Sequence, residues 1–213
     1  MDFNARYACA TVIQSWHTIS YLAQLGLSPR RPALILNACD PAIFHPPATP
    51  RTPGPRLRII ATSWSPNPGK GAAIYQWLDE HLDPARYEFT FVGNCPAKLR
   101  SARVLAPLPS EELAAELREH DVYLTASRND PCSNALMEAL SCGLPAIYLD
   151  SGGHPELTSF GGLPFTLPHE IPALLDRIRD HYAFYRALVT PQSITDVCRR
   201  YFSLLLADAP YAA

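Results

Sequence analysis

The sequence has few of the features that would place its 213 residues in a special class of protein. Its six cysteines are scattered, without a CxxC pair or the short spacings of a disulfide framework, which favours reduced thiols and a cytoplasmic location. No window approaches the roughly 20 apolar residues that span a bilayer, and the N-terminus has no basic region of the kind that opens a secretory signal. Eighteen basic and twenty acidic residues give a net charge of -2, so composition predicts no nucleic-acid partner.

Common cofactor motifs are missing as well. The chain has neither the GxGxxG motif of dinucleotide-binding turns nor the GxxxxGK[ST] motif of P-loops. Its seven histidines show no HxxxH spacing and have no paired cysteines nearby, so we expect no metal. With 47% apolar and 18% charged residues, the composition is that of an ordinary globular protein.

A proline-rich stretch, "DPAIFHPPATPRTPGP", divides the chain. Its prolines exclude a helix interior or a central strand, which predicts a linker or an extended surface crossing over residues 41–55. Ahead of it, "CATVIQSWHTISYLAQLGL" predicts a strand followed by a helix, and "PALILNACD" predicts another strand. Residues 1–40 are too few for an independent domain, so we interpret them as the remnant of an N-terminal domain or a hinge region.

Residues 56–213 are predicted to form the main domain. The β-rich runs "LRIIAT", "YEFTFV", "DVYLT" and "LPAIYL" alternate with the helix-like segments "GAAIYQWLDEHL" and "SEELAAELREH". This alternation predicts an α/β fold, a Rossmann-like parallel sheet flanked by helices. Ligands of such folds bind at the carboxyl ends of the strands, which directs attention to residues 63–70, 93–94, 127–134 and 150–154.

The segment "RNDPCSNALMEALSCG" predicts a helix over residues 134–142, capped by Ser133 and ended by Gly143. The backbone N–H groups of Asn134, Ala135 and Leu136 would then be free to bind phosphate.

Glu138 lies on the same helix face as Asn134. A capping box with Ser133 would need an acid at position 136, where the chain has Leu. Glu138 is therefore either a solvated surface charge or a ligand-binding group, and Asp130, before a proline, is either a turn former or a ligand-binding group.

Two glycine turns follow other strands. In "SWSPNPGKG", Lys70 lies between two glycines, where its ammonium group could reach a phosphate or simply be solvated. In "DSGGHPE", Gly152 and Gly153 allow either a close approach to a ligand or a tight turn. His154 is either an acid–base group or a structural residue.

Together these segments resemble the donor-binding half of the retaining glycosyltransferases with the GT-B architecture, the family usually numbered four. The resemblance covers most of the chain. "LILNACDPAIFHP" is similar to the family's hinge segment, "NPGKG" to its phosphate-binding turn and "FVGN" to the strand and loop near the nucleotide base. "DPCSNALMEALSCGLPAIYLDSGGHPEL" is similar to its signature of two acids with seven residues between them, followed by two glycine-containing motifs.

The resemblance implies a role for each matching residue. Glu138 would bind the ribose of a UDP- or GDP-linked sugar, which is a substrate, and no cofactor is expected. Asp130 and the backbone of residues 133–136 would hold the sugar and the diphosphate. Lys70 would neutralise the leaving diphosphate without a metal. The remaining contacts to the base and phosphates would come from Ser65, Asn67, Gly93, Asn94 and Leu108.

Three departures from the family pattern stand out. Asp130 replaces the usual Glu and reaches less far. Ser65 replaces the usual arginine, and Asn67 or Arg128 would have to compensate for the lost contact to the diphosphate. The family's N-terminal acceptor domain has no counterpart here, which implies that a partner chain or a further domain completes the site and provides any peripheral membrane association, or that activity has been lost.

The resemblance therefore implies a hexosyltransferase-type enzyme of polysaccharide biosynthesis. A non-catalytic nucleotide-sugar-binding subunit and a sugar-nucleotide epimerase stay open as alternatives.

Overall fold

The computed structural model describes residues 7–95 and 97–207. The chain begins with a small parallel sheet of two strands, β1 (Thr11–Ile13) and β2 (Pro32–Leu34), joined by helix α1 (Trp16–Gln24). Ser15 caps α1 because its hydroxyl accepts the N–H of Thr18 at 3.2 Å. The predicted strand–helix–strand order is confirmed. The second strand is shorter than predicted, since β1 offers only three residues for pairing.

The main sheet has six parallel strands in the order β5-β4-β3-β6-β7-β8. In chain order they are β3 (Leu57–Ser63), β4 (Tyr87–Gly93), β5 (Arg103–Leu105), β6 (Val122–Thr125), β7 (Ala146–Leu149) and β8 (Gly162–Phe165). β3 is central and pairs with β4 along its whole length, whereas it pairs with β6 through Ile59 and Ile60. The strand order reverses between β3 and β6, which makes their carboxyl ends the topological switch point of the sheet.

The four predicted strands of this sheet are confirmed, and the fold class is the predicted one. Strands β5 and β8 were not predicted from the sequence. β8 contains Pro164, which a central strand would not tolerate because proline has no N–H for the ladder. β8 is an edge strand, where this loss is acceptable.

The helices of the main domain cover both faces of the sheet. They are α2 (Ala72–His81), α3 (Ser110–Arg118), α4 (Asn134–Ser141), α5 (His154–Thr158), α6 (Ile171–Asp180), α7 (Tyr182–Ala187) and α8 (Ile194–Ala207), with short 3-10 turns at Pro68–Lys70 and Pro168–Glu170. α2 and α6 pack on the face that contains Ile59, and α3 and α4 pack on the face that contains Ile60. Because both faces are covered, the strands are continuous apolar runs rather than alternating ones.

The proline-rich stretch crosses the surface without forming a strand. Phe44 is buried in the same hydrophobic cluster as Ile60, and Arg118 Nη1 donates to the carbonyl of Ile43 at 3.0 Å. These contacts hold the stretch against the main domain. In the part of the chain that the structure describes, no helix has the length and apolar character that crossing a membrane requires.

Candidate functional site

The loop after β3 presents Lys70 on a short 3-10 turn. The Asn67 side-chain oxygen accepts the N–H of Gly69 at 2.8 Å and so caps this turn. Gly71 follows with a φ of 88°, and a Cβ at this position would lie 2.4 Å from the Cβ of Ala126. Only glycine therefore allows the turn to pack this closely against the loop after β6.

The loop after β6 carries Asp130 to the same place. Lys70 Nζ donates to Asp130 Oδ2 at 2.8 Å, and Asp130 Oδ1 accepts the N–H of Cys132 at 3.3 Å. The backbone N–H of Arg128 donates to the carbonyl of Gly69 at 2.7 Å, which joins the two loops a second time. The side chain of Arg128 is exposed and does not line the pocket described below.

Gly152 and Gly153 support the Asp130 loop from behind. A Cβ on Gly152 would lie 2.3 Å from the carbonyl oxygen of Asp130, and one on Gly153 would lie 2.2 Å from that of Pro131. The N–H of Gly153 donates to the Asp130 carbonyl at 2.9 Å. The glycine pair is thus explained by the close approach of two backbone segments.

Helix α4 begins beside these loops. The hydroxyl of Ser133 accepts the N–H of Leu136 at 3.4 Å, so Ser133 is the predicted cap. The expectation that the N–H of Leu136 is free is wrong because this cap occupies it, and the Leu136 side chain is fully buried in the core. The N–H groups of Asn134 and Ala135 stay as the candidates for binding an anion, and both residues line the pocket described below.

Glu138 lies one turn further along α4 and is largely buried rather than solvated. Its Oε2 is buried and has no hydrogen-bond partner within the described residues. Burial raises the pKa of the Glu138 carboxyl to about 7. Burial also raises the pKa of the Cys39 thiol to about 11, and the Glu138 carboxylate adds to this effect, which places the acid beside the segment that contains Cys39. An unpartnered buried carboxylate is costly and is suited to accept hydrogen bonds from a ligand.

A polar pocket of about 250 Å³ opens at the switch point. Its lining residues are Thr62, Ser63, Trp64, Ser65, Lys70, Thr125, Ser127, Asp130, Cys132, Ser133, Asn134 and Ala135. It therefore brings together six of the residues predicted from the sequence, which are Ser65, Lys70, Asp130, Ser133, Asn134 and Ala135. Trp64 was not singled out from the sequence, although it lies within residues 63–70 at the end of β3.

Other predicted residues lie outside this pocket. Asn94 donates from Nδ2 to the carbonyl of Trp64 at 2.9 Å. Gly93 has a φ of 114°, and its missing Cβ leaves room for the carbonyl oxygen of Ser63. Leu108 packs against the hydrophobic cluster that contains Ile60. Asn67 serves the turn that it caps, so its carboxamide does not replace the missing arginine charge.

A residue of the hinge segment also contacts the site. Asn37 Nδ2 donates to the side-chain oxygen of Asn134 at 2.9 Å, and Gln14 Nε2 donates to Asn37 Oδ1 at 2.6 Å. This pairing connects the small N-terminal sheet to the start of α4, across 97 positions of sequence between Asn37 and Asn134. No local pattern in the sequence indicates it.

His154 is fully buried. Its Nδ1 is 3.0 Å from the carbonyl oxygen of Leu149, and burial lowers its pKa, so the neutral ring is favoured. Its side chain is fully buried and does not line the pocket. Its Nε2 is also buried and has no hydrogen-bond partner within the described residues, so both alternatives for His154 stay open.

A larger cavity of about 680 Å³ lies at the opposite, amino-terminal edge of the sheet. The proline-rich stretch and helices α6 and α7 form its walls, which include Arg51 and Arg179. Arg51 is paired with Asp121, and Arg179 is paired with Asp176. None of the residues predicted to bind a ligand lines this cavity, so size alone does not identify the functional site.

Comparisons with known proteins place the chain in a family. A profile described as glycosyl transferases group 1 matches residues 72–183, which is just over half of the chain. A search of curated proteins found no match.

Solved structures share the fold at low sequence identity. HepE from Anabaena, solved in complex with UDP-glucose, is 14% identical with a TM-score of 0.76, and the match covers 95% of this chain and 65% of HepE. Sucrose-phosphate synthase from Thermosynechococcus elongatus is 17% identical with a TM-score of 0.71, with 92% and 58% covered. A glycosyltransferase from Rickettsia africae is 13% identical with a TM-score of 0.71, with 93% and 64% covered.

This chain thus spans about three fifths of the length of these proteins. Its six-stranded parallel sheet with helices on both faces corresponds to the Rossmann-like C-terminal domain of the GT-B architecture. The sheet order, the matched profile and these structures agree, and the chain belongs to the glycosyl transferases group 1 family.

Proposed function

We propose that this chain is the donor-binding part of a retaining, metal-independent glycosyltransferase, which transfers a hexose from a UDP- or GDP-linked sugar. The observation that carries the proposal is the convergence of Lys70, Asp130 and the start of α4 in one pocket at the switch point. A cation, a carboxylate and a helix N-terminus are the groups that a sugar diphosphate requires.

The diphosphate is assigned to the start of α4. Asn134 and Ala135 line the pocket at the start of α4, where their N–H groups and the positive end of the helix dipole would act on a bound anion. Lys70 also lines the pocket and its side chain is partly exposed, so its ammonium group can reach an anion there. These local groups would stabilise a bound anion although the protein as a whole has a net charge of -2.

The sugar and the ribose are assigned to the two acids. Asp130 retains only 12% of its side-chain exposure and faces the pocket beside Lys70, where it would accept a hydrogen bond from a sugar hydroxyl. Glu138, one helical turn from the diphosphate site, would accept hydrogen bonds from the ribose hydroxyls at its unpartnered oxygen.

Transfer breaks the bond between the anomeric carbon and the diphosphate oxygen, and negative charge accumulates on the departing diphosphate. Lys70 and the α4 N–H groups are placed to stabilise this charge, which lowers the barrier more than it stabilises the bound donor. Ser65, where the family has arginine, contributes no second positive charge. The anomeric carbon would form its new bond to the oxygen of an acceptor hydroxyl, whose proton passes to the departing diphosphate, and no residue of this chain is assigned to the acceptor.

The alternative function is a non-catalytic nucleotide-sugar-binding subunit that needs a partner acceptor domain. The groups at the switch point, Lys70, Asp130 and the start of α4, are those that either function requires for donor binding. In many enzymes, two domains close around the bound substrate, which excludes water from the site and completes it for the reaction. The two functions differ in one measurable property, since only the enzyme transfers or hydrolyses the sugar.

Isothermal titration calorimetry with a panel of UDP- and GDP-linked sugars tests the proposal. We expect one-to-one binding of at least one donor, and competition by the matching nucleoside diphosphate. The absence of binding for every donor would contradict both functions. Incubation of the bound donor with the protein, followed by chromatography for free sugar, then distinguishes the enzyme from the binding subunit.

The cytoplasmic location expected from the six free cysteines stays a prediction.

A further inference from the structure

Trp64 follows directly after β3 and is the one aromatic residue in the lining of the switch-point pocket, within the described residues. The residue is about half exposed, at 52%. An indole ring left open in a pocket of hydroxyl, amide and charged groups contributes little to the core. Its position beside Lys70 and Asp130 instead gives the pocket one flat apolar wall.

The backbone around Trp64 is held on both sides while its ring is free. Asn94 Nδ2 donates to the Trp64 carbonyl at 2.9 Å, and the N–H of Asn94 donates to the Ser63 carbonyl at 2.7 Å. The Ser63 hydroxyl donates to the Ser65 carbonyl at 3.0 Å. Three hydrogen bonds therefore fix the backbone from which the indole ring projects. A fixed backbone favours a pre-organised binding surface over a mobile surface side chain.

The other two tryptophans are in different surroundings. Trp77 stacks on His81 with ring centroids 4.5 Å apart and packs against the core. Trp16 is 62% exposed on α1 and does not line the pocket. Trp64 alone combines an open ring with the predicted ligand groups, and Trp16 provides a matched control.

We propose that Trp64 is a specificity-determining residue of the donor site, whose indole face stacks against the C–H face of the transferred sugar ring. The inference rests on the proposed function and adds to it a residue that selects a hexopyranose. A pyranose presents axial hydrogens on one face and hydroxyls around its edge. The negative face of the indole would attract the axial hydrogens, and Asp130 and Ser127 would bind the hydroxyl groups.

The sugar is a better partner for Trp64 than the base because of the pocket's composition. Trp64 shares the pocket with Asp130 and Lys70, the groups assigned to the sugar and the diphosphate. Glu138 and Leu108, assigned to the ribose and the base, lie outside its lining. The ring is thus at the sugar end of the site.

Calorimetry of Trp64→Ala, Trp64→Phe and Trp16→Ala with UDP-glucose and with UDP tests this assignment. If the wild type prefers guanine, GDP-mannose and GDP replace them. We expect Trp64→Ala to weaken UDP-glucose binding roughly fivefold to tenfold and UDP binding less than about twofold, because only the sugar loses a stacking partner. Trp64→Phe should keep most of the affinity, and Trp16→Ala should match the wild type for both ligands.

Three results would overturn the assignment. Equal losses for UDP and UDP-glucose would place Trp64 against the nucleotide, and unchanged affinity for both would remove it from the site. A melting temperature of Trp64→Ala well below that of the wild type, with affinity restored at low temperature, would make it a structural residue. Failure of the wild type to bind any donor is a separate result, which contradicts the proposed function itself.

Discussion

Lys70 and Asp130, 60 positions apart in the sequence, form an ion pair of 2.8 Å between Nζ and Oδ2. The pair joins the loop after β3 to the loop after β6, which are the two strands that flank the switch point of the sheet. Gly71 and Gly152 allow the backbone segments of these two loops to pack closely against their neighbours. The finding defines where a sugar diphosphate would have to bind.

Replacement of Lys70 by methionine should weaken the binding of UDP or GDP by roughly 10- to 100-fold, since a charge-assisted hydrogen bond to the diphosphate is lost. Calorimetry gives the affinities. The chain has only one other lysine, Lys98, which is exposed and outside the pocket. Lys98→Met is therefore the matched control, and equal affinities for the two variants would contradict the role of Lys70.

Donor binding should depend on pH through Glu138, whose pKa burial raises to about 7. The ionised carboxylate accepts the ribose hydrogen bonds, so affinity should fall about tenfold as the pH is lowered from about 8 to about 6. In Glu138→Gln the amide does not titrate in this range, and the affinity should be lower but independent of pH. A wild-type affinity that stays constant over this range would contradict the prediction.

The same raised pKa predicts a stability change of opposite sign. A carboxyl whose pKa rises from 4.5 to about 7 on folding takes up a proton, so the folded state loses stability as the pH rises through this window and reaches a constant lower value above it. Glu138→Gln should therefore be more stable than the wild type above about pH 7, by about 3 kcal/mol, with little difference below about pH 4.5. Urea unfolding without ligand at several pH values measures this difference. A stability difference that does not change with pH would contradict it.

Replacement of Gly152 by alanine should disturb the Asp130 loop. The new Cβ would meet the Asp130 carbonyl oxygen at 2.3 Å, and the φ of 66° is unfavourable for alanine. We expect a loss of about 3 kcal/mol in the free energy of unfolding, together with weaker donor binding. Differential scanning calorimetry measures the loss of stability. Gly54→Ala is the control, because nothing lies within 4 Å of its added Cβ, and equal melting temperatures would contradict the packing described for Gly152.

Glu156 is predicted to hold the N-terminal segment on the main domain. Its two carboxylate oxygens accept the N–H groups of Trp16 at 2.7 Å and His17 at 3.0 Å, which caps the first turn of α1 across 140 positions of sequence. Glu156→Ala should speed hydrogen exchange in α1 by about fivefold to tenfold and leave β3 unchanged. The exposed Glu111 supplies the control Glu111→Ala. Unchanged exchange of α1 in Glu156→Ala would show that other contacts hold this segment.

The fold was largely predictable because strong local patterns determine it. β3, β4, β6 and β7 are buried on both faces and are therefore visible as continuous runs of apolar residues. β5 has three residues, two of them exposed, and β8 contains a proline, so neither carries a strand pattern. The start of α4 was predictable from Pro131 and Ser133, whose local chemistry sets a helix boundary.

The site was predictable only in part, because its chemistry depends on contacts between distant segments. The spacing of the two acids identified Asp130 and Glu138, but the burial of Glu138 depends on how α4 packs against the hinge segment. The pairing of Asn37 with Asn134 and the opening of the pocket beside Trp64 likewise arise from tertiary structure. Propensity and spacing describe single elements, and these relationships exist only between elements.

The central claim is that the α4 region binds the nucleotide portion of a sugar donor, with Glu138 on the ribose. Its most direct test is a calorimetric titration of the preferred UDP- or GDP-linked sugar into the wild type, Glu138→Ala and the exposed control Glu112→Ala at about pH 8, where Glu138 is ionised. The account predicts wild-type affinity for Glu112→Ala and a loss of at least about tenfold for Glu138→Ala. Undiminished binding by Glu138→Ala would contradict it.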